Sequence, residues 1–223
     1  VRELAARAPG VFSVRAGIEQ RGHRLAGTSV EGVPIVDSFD RAHCFATAGE
    51  CGRAVVIDFT RPGPLAELAG WASEAGVARV SGTTGLTPEA EAALKAAAAT
   101  VPVVWAPNMS LGVNLLYRLV AETAAALGDL ADCAIVEQHH RHKLDAPSGT
   151  AISLAETLRM AGAHSVETHS VREGEVVGDH KVEFFGPADR IALAHHAGDR
   201  SIFARGAVEV AIWLASRGGS PGR

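Results

Sequence analysis

Between Ala54 and Trp105 the chain alternates apolar runs with helical patterns, and that alternation restricts what it can become. Ala54–Thr60 is a continuous apolar run, the pattern of a strand covered on both faces. Pro62–Ala75 then sets Leu65, Leu68, Ala69 and Ala72 at helical spacing before Gly76. Val77–Ser81 reads as a second strand, with Gly82-Thr83-Thr84-Gly85 as the loop at its carboxyl end. Thr87-Pro88-Glu89 opens another helix with a cap, a proline in the first turn and an acid that the helix dipole favours. Val101–Trp105 is the strand after it. Strands and helices in this order predict an α/β, doubly wound parallel sheet.

Ligands of such sheets lie beyond the carboxyl ends of the strands. Those ends carry Phe59-Thr60, Gly82-Thr83-Thr84 and Ala106-Pro107-Asn108-Met109. Upstream, Arg2–Ala8 reads as the tail of a helix closed by Pro9-Gly10, and Val11–Ile18 alternates as a strand that ends in Glu19. An acid at that place holds the ribose hydroxyls in a Rossmann-like dinucleotide fold, with a Gly-rich phosphate turn about 20 residues earlier. Here that position falls before Val1. The first strand and its glycine turn are therefore expected to lie outside this sequence, which would leave the chain as written a poor binder of NAD(P)H.

The 223 residues suffice for one large or two modest domains, and 47% hydrophobic with 21% charged content marks a globular chain. A net charge of −4 and a pI near 6.2 give no electrostatic case for nucleic acid. No apolar run reaches the length of a membrane span, and no signal peptide opens the chain. Cys44, Cys51 and Cys133 are odd in number and lack a C-x-x-C, as expected of reduced thiols in a cytoplasmic protein.

The densest chemistry lies between Glu137 and Ala151. Three of the ten histidines, an arginine, a lysine and two acids sit between the apolar run Cys133–Val136 and a helical pattern of Ile152, Ala155 and Leu158. A strand thus delivers basic groups to a helix N-terminus. Pro147 favours a helix start, with Ser148 or Asp145 as cap. The N–H groups of Ser148, Gly149 and Thr150 then form an anion site, which Gly149 lets a ligand approach closely. With His140, Arg141, His142 and Lys143 beside it, the fitting guest is a carboxylate or phosphate. A helical turn after the strand would put His139 and Lys143 on one side.

His139-His140-Arg141-His142-Lys143 followed by Asp145-Ala146-Pro147-Ser148-Gly149-Thr150-Ala151 resembles the signature of the 4-hydroxy-tetrahydrodipicolinate reductase family. Asp58-Phe59-Thr60, Gly82-Thr83-Thr84-Gly85 and Asn108-x-Ser110-x-Gly112-Val113-Asn114 are similar to its cofactor-side motifs. The resemblance implies hydride transfer from NADH or NADPH to the heterocycle derived from 4-hydroxy-tetrahydrodipicolinate, in lysine and diaminopimelate biosynthesis. It implies His139 and Lys143 as the acids, and His140, Gly149 and Thr150 as the grip on the dicarboxylate. It places the cofactor against Glu19, Gly82, Thr83, Thr84, Ala106, Pro107, Asn108 and Met109. Gln20 stands where some relatives have arginine, so the choice between NADH and NADPH stays open, with Arg21 near enough for a 2′-phosphate. A lysine clustered with cations is expected to give up its proton more easily.

In the remainder, Ser110 caps a helix with Val113, Leu116, Leu119, Val120 and Ala124 inward, ending at Gly128. Ser148–Ala161 is the helix behind the site, and Ser165–Arg172, His180–Phe185 and Ile191–His196 form a mostly antiparallel sheet. Arg200–Arg217 is a last helix that returns to the first domain, and Gly218–Gly222 reads as a disordered tail. The division is a dinucleotide domain over 1–108 and a substrate and oligomerisation domain over 109–199. The family resemblance implies a homotetramer built on an open sheet. No metal site is expected. His140-x-His142 lacks further ligands at a zinc spacing, and His195 and His196 point to opposite faces of a strand. Arg172 and His180 stay open between packing and pocket. Two other readings compete: a non-catalytic carboxylate-binding relative, and a Ser148 or His-metal hydrolase, against which stands the lack of a base and orienter with Ser148.

Overall fold

The computed structural model describes residues 1–7, 10–38 and 54–216. The chain divides into two compact units, Val1–Pro107 joined by the last helix from Ala204 on, and Asn108–Phe203.

In the first unit, β4 (Val55–Asp58), β5 (Ala78–Ser81) and β6 (Val103–Trp105) form a parallel sheet with β5 in the middle. Asp58 lies opposite Ser81, and Ser81 opposite Trp105, so the three carboxyl ends emerge along one edge. Two crossover helices connect the strands, α2 (Pro62–Ala75) and α3 (Pro88–Ala98). Proline starts each of them, where a missing N–H costs nothing. Thr87 caps α3 by accepting from the Ala90 N–H at 3.3 Å. Gly76 stops α2 with a left-handed φ of 68°, a conformation that glycine adopts without strain. Leu65 and Ala69 of α2 bury against Ala90, Leu94 and Ala97 of α3. β4 is less covered than its apolar run suggests. Val55, Val56 and Ile57 are half-buried, because β4 is an edge strand of this sheet among the described residues.

A smaller sheet holds β1 (Gly17–Ile18), β2 (Ser29–Val30) and β3 (Val33–Val36) in the order β1-β3-β2. The strand expected over Val11–Ile18 is thus only two residues long. Its alternation of exposure persists from Val11 to Arg15, but the ladder to β3 begins only at Gly17. The opening helix is α1 (Arg2–Arg7), and Glu3 meets Arg205 of α6 (Ser201–Ser216) at 3.2 Å. Ala8, Pro9, Cys44, Cys51, Arg217 and the Gly218–Gly222 tail lie outside the described residues.

The second unit is a four-stranded sheet in the order β10-β9-β7-β8. Its strands are β7 (Asp132–His139), β8 (Val166–Arg172), β9 (Asp179–Phe185) and β10 (Arg190–His196). Only β7 and β8 run parallel; the other two pairings are antiparallel. Helices α4 (Leu111–Leu127) and α5 (Gly149–Met160) cover one face. Leu116, Val120, Ile135, Leu154, Leu158, Val182 and Phe184 are its buried core. Ser110 caps α4 through the Val113 N–H, and Gly128 follows the helix, as the spacing predicts. The opposite face carries Ala134, Val136, Lys181, Glu183, Ala192 and Ala194. On it the Glu183 carboxylate is held by Lys181 at 3.0 Å and Arg190 at 3.3 Å.

Candidate active site

β7 carries the site because its alternation outlasts the apolar run that announces it. Cys133, Ile135, Glu137 and His139 are all buried on the helix-covered face, so the strand extends three residues past Val136. Strand residues i and i+2 share a face, and Nδ1 of His139 accordingly lies 2.5 Å from Oε2 of Glu137. Arg172, opposite His139 on β8, forks onto the same carboxylate, with Nη1 to Oε2 at 3.0 Å and Nη2 to Oε1 at 2.7 Å. The Ser148 N–H donates to Oε1 at 3.2 Å. Burial would raise the Glu137 carboxyl, but hydrogen bonds from Arg172, Ser170 and His139 overcome it and hold the group at about 2. His139 moves the other way. Its burial outweighs the pull of Glu137, and the charges of Lys143 and Arg172 add to that, so its pKa falls below the usual histidine value.

Beyond the strand, the helical turn expected between His139 and Lys143 is absent. The β7–β8 ladder holds His139 in the strand, and the next residues form a tight turn closed by the Lys143 N–H on the His140 carbonyl at 3.1 Å. Lys143 donates to Asp145 at 2.8 Å, so its nearest charge is an acid rather than the cations around it. Arg172 also grips the Asp145 carbonyl at 2.6 Å and thereby ties down the loop. His140 and His142 lie with ring centroids 6.2 Å apart on the turn.

Ser148, not Asp145, caps α5, its Oγ accepting from the Ala151 N–H at 3.2 Å. Pro147 therefore sits outside the helix, after a cis peptide bond, rather than at its start. The N–H groups of Gly149 and Thr150 occupy the first turn, where no carbonyl precedes them. Gly149 is exposed, and a Cβ on it would meet nothing within 4 Å, so the flank of the helix start is open. The Thr150 hydroxyl accepts from Asn108 Nδ2 at 3.1 Å. His180 Nε2 lies 3.1 Å from the cap hydroxyl of Ser148, and its ring meets His139 edge-on at 5.2 Å. Burial and the nearby charge of His139 push His180 down to about 4, leaving it neutral at pH 7.

At the edge of the first unit, Asp58 is buried beneath the loops. Its Oδ2 accepts from Arg79, from Ser81 at 2.9 Å and from Thr83 at 3.3 Å, and its Oδ1 from the Thr60 N–H at 2.8 Å. Gly82 donates to the Asp58 carbonyl at 2.8 Å, and a Cβ there would run into the Phe59 ring. The Thr83 carbonyl takes the Trp105 indole N–H at 2.8 Å, while Thr84 is exposed. Ala106 pairs with Ser81, and Pro107 is exposed. Glu19 stands at the end of β1 with its carboxylate 3.8 Å from His23. Asn108 and Met109 belong to the second unit, where Met109 is buried.

Glu137 was given no role by the sequence reading, which offered Ser148 as one of two caps and left Arg172 and His180 open between packing and pocket. The signal for Glu137 was present, since Glu137-x-His139 is a same-face pair once the strand is carried through. Among the described residues, Glu137, His139 and His180 also form one group close enough to share a metal, their ligand atoms within 4.8 Å of one another. Four hydrogen-bond donors already fill the lone-pair positions of that carboxylate, so the trio is a hydrogen-bonded node rather than an open chelate. His195 and His196 face opposite ways as expected. His195 lies 3.4 Å from Ser110 Oγ, and His196 pairs with Asp179 at 3.0 Å.

Comparison with known proteins bears on both units. Residues 4–109 match the family model "Dihydrodipicolinate reductase, N-terminus", and residues 112–222 match "Dihydrodipicolinate reductase, C-terminus". The chain is 42% identical over 242 positions to a 4-hydroxy-tetrahydrodipicolinate reductase of Anaeromyxobacter sp. (strain Fw109-5), covering 96% of this chain and 87% of that protein. It is 44% identical over 204 positions to the Myxococcus xanthus (strain DK1622) protein of the same description, covering 83% and 73%. Among solved structures it resembles a dipicolinate-bound dihydrodipicolinate reductase from Paenisporosarcina sp. TG-14, with a TM-score of 0.77 at 22% identity, covering 97% and 89%. That likeness is one of fold. Among the described residues, no helix is long and apolar enough to cross a membrane.

Proposed function

The chain belongs to the dihydrodipicolinate reductase family, and from that premise we propose that it reduces the heterocycle derived from 4-hydroxy-tetrahydrodipicolinate to tetrahydrodipicolinate. The observation that carries the reading is the buried His139, held by Glu137 beside the open N-terminus of α5. A planar dicarboxylate suits that place. One carboxylate meets the N–H groups of Gly149 and Thr150 at the positive end of a helix, and His140 and Lys143 supply further positive donors.

The bound nicotinamide supplies the hydride, and a proton must reach the ring as negative charge develops there. On this reading His139 and Lys143 give it. On the cofactor side, Glu19 presents a partly exposed carboxylate for ribose hydroxyls. Gly82, Thr83 and Thr84 form a loop pinned from below by Asp58, with the Phe59 ring packed where a Cβ at Gly82 would stand. Ala106, Pro107, Asn108 and Met109 complete that reading. Either NADH or NADPH meets it.

The uncovered face of the four-stranded sheet supports assembly of four copies, since Val171, Phe185, Ala192 and Ala194 are exposed on it. A small-molecule biosynthetic role supports a cytoplasmic location. The test is oxidation of NADH and of NADPH, each followed with the heterocyclic substrate and with pyridine-2,6-dicarboxylate as competitor. Dicarboxylate binding with no cofactor oxidation would instead favour a non-catalytic relative.

A further inference from the structure

The carboxylate of Glu137 joins four parts of the second unit: its own strand, β8 through Arg172, the cap of α5 through Ser148, and the ring of His139. An imidazole has two nitrogens, and a hydrogen bond at one of them decides what the other can do. An ionised carboxylate only accepts, so the nitrogen facing it must carry hydrogen. Nδ1 of His139 is that nitrogen. Nε2 is then the remaining atom, and it lies beside Gly178, where a Cβ would come to 3.0 Å from it.

We propose that Glu137 and Arg172 are positioning residues for His139, the carboxylate holding hydrogen on Nδ1 so that Nε2 is the atom that takes up and gives away the transferable proton, with Arg172 sharing the carboxylate. The proposal rests on the reading of His139 as an acid. Gly178 leaves the flank of Nε2 clear.

The two partners act on His139 with opposite sign. Glu137 favours the imidazolium through its hydrogen bond and charge, whereas Arg172 disfavours it and takes up part of the carboxylate's acceptor strength. His180 from β9 and Lys143 from the turn are the other titratable groups on the ring, and burial is the largest influence. The tautomer is the readout that separates a positioning carboxylate from one that only lends its charge.

The experiment is nitrogen-15 NMR of histidine-labelled protein, with the His139 signals identified by their loss in His139→Asn. Above its pKa, His139 should show a protonated Nδ1 and an unprotonated Nε2. Glu137→Gln should lower the His139 titration midpoint and Arg172→Met should raise it, each by about one pH unit, the low end for a charge at this range. Arg172→Lys, which keeps the charge, should restore most of the wild-type midpoint. A protonated Nε2 in the wild type, or a shift of the same sign in both variants, overturns the proposal. If Glu137→Gln does not fold, the wild-type tautomer and the arginine variants decide it. Correct tautomer and shifts with unchanged kcat in His139→Asn would leave the positioning intact and remove His139 as the acid.

Discussion

Asp58→Asn should unfold the first unit more readily than any other single-atom change in it. Asp58 and Arg79 are both fully buried, and their contact is the sole ion pair of the β4-β5-β6 sheet among the described residues. The guanidinium has one other hydrogen bond, from Nη1 to the Leu65 carbonyl at 3.2 Å, and its Nε is already without a partner. Neutralising the acid would strand a buried cation, which typically costs about 3–5 kcal/mol. Arg79→Met should cost less, because Asp58 keeps the Thr60 N–H and the hydroxyls of Ser81 and Thr83. The double variant Asp58→Asn/Arg79→Met should recover much of the loss, since replacing both partners of a buried pair is often near neutral. All three tryptophans, Trp71, Trp105 and Trp213, lie in the first unit, so their fluorescence during urea unfolding reports that unit selectively. The pH dependence has a definite sign. Burial would raise the Asp58 carboxyl, but bonds from Thr60 and Arg79 and the charge of Arg79 hold it below its ordinary value of 3.8. Its contribution is therefore fully present above 3.8 and lost as pH falls through the lower folded value. Asp58→Asn should lack that acid-sensitive component. A variant within about 1 kcal/mol of wild type would refute the reasoning, since the pair would then be exchangeable with water.

Lys143→Ala should lower kcat by about 10²–10⁴-fold, the usual contribution of a general acid, while titration with NADH stays near wild type. Thr150→Val removes the hydroxyl that Asn108 donates to, and should weaken pyridine-2,6-dicarboxylate by about 1 kcal/mol in calorimetry. Equal affinities would remove that hydroxyl from the carboxylate grip. Ala192→Glu puts a second acid opposite the buried Glu183 on the uncovered sheet face, and should reduce the assembled mass in sedimentation. An unchanged mass would remove that face from the proposed assembly.

The elements of this fold were legible wherever a local rule acts alone. Pro62, Gly76, Thr87, Ser110 and Gly128 mark helix ends by backbone geometry and capping, and the helices begin and stop at them. The groups proposed to face the ligand stood out for a related reason. His140, Lys143, Gly149 and Thr150 are crowded into a short stretch, where polar residues between two buried elements announce themselves. What supports those groups was not legible, because it arrives from elsewhere in the chain. Arg172 reaches Glu137 across 35 positions, His180 reaches Ser148 across 32, and Arg79 reaches Asp58 across 21. Only strand register brings such pairs together, and register is set by packing rather than by spacing along the chain.

The two supports solve the same physical problem in different units. Each is a buried carboxylate with an arginine on the neighbouring strand, and each takes further bonds from a loop at the strand's carboxyl end: Thr83 and the Thr60 N–H on Asp58, the Ser148 N–H on Glu137. Loops left to themselves are the mobile parts of a fold. The arginine, forked onto Glu137 and singly bonded to Asp58, keeps the acid ionised although it is buried, and an ionised acid makes stronger hydrogen bonds to loop N–H and O–H groups than a neutral one. The arginine thus acts on the loop through the acid without touching it at Thr83. At Glu137 it also grips the Asp145 carbonyl directly. Replacing either acid should therefore do more than lower stability: it should free a loop that the proposed chemistry needs held.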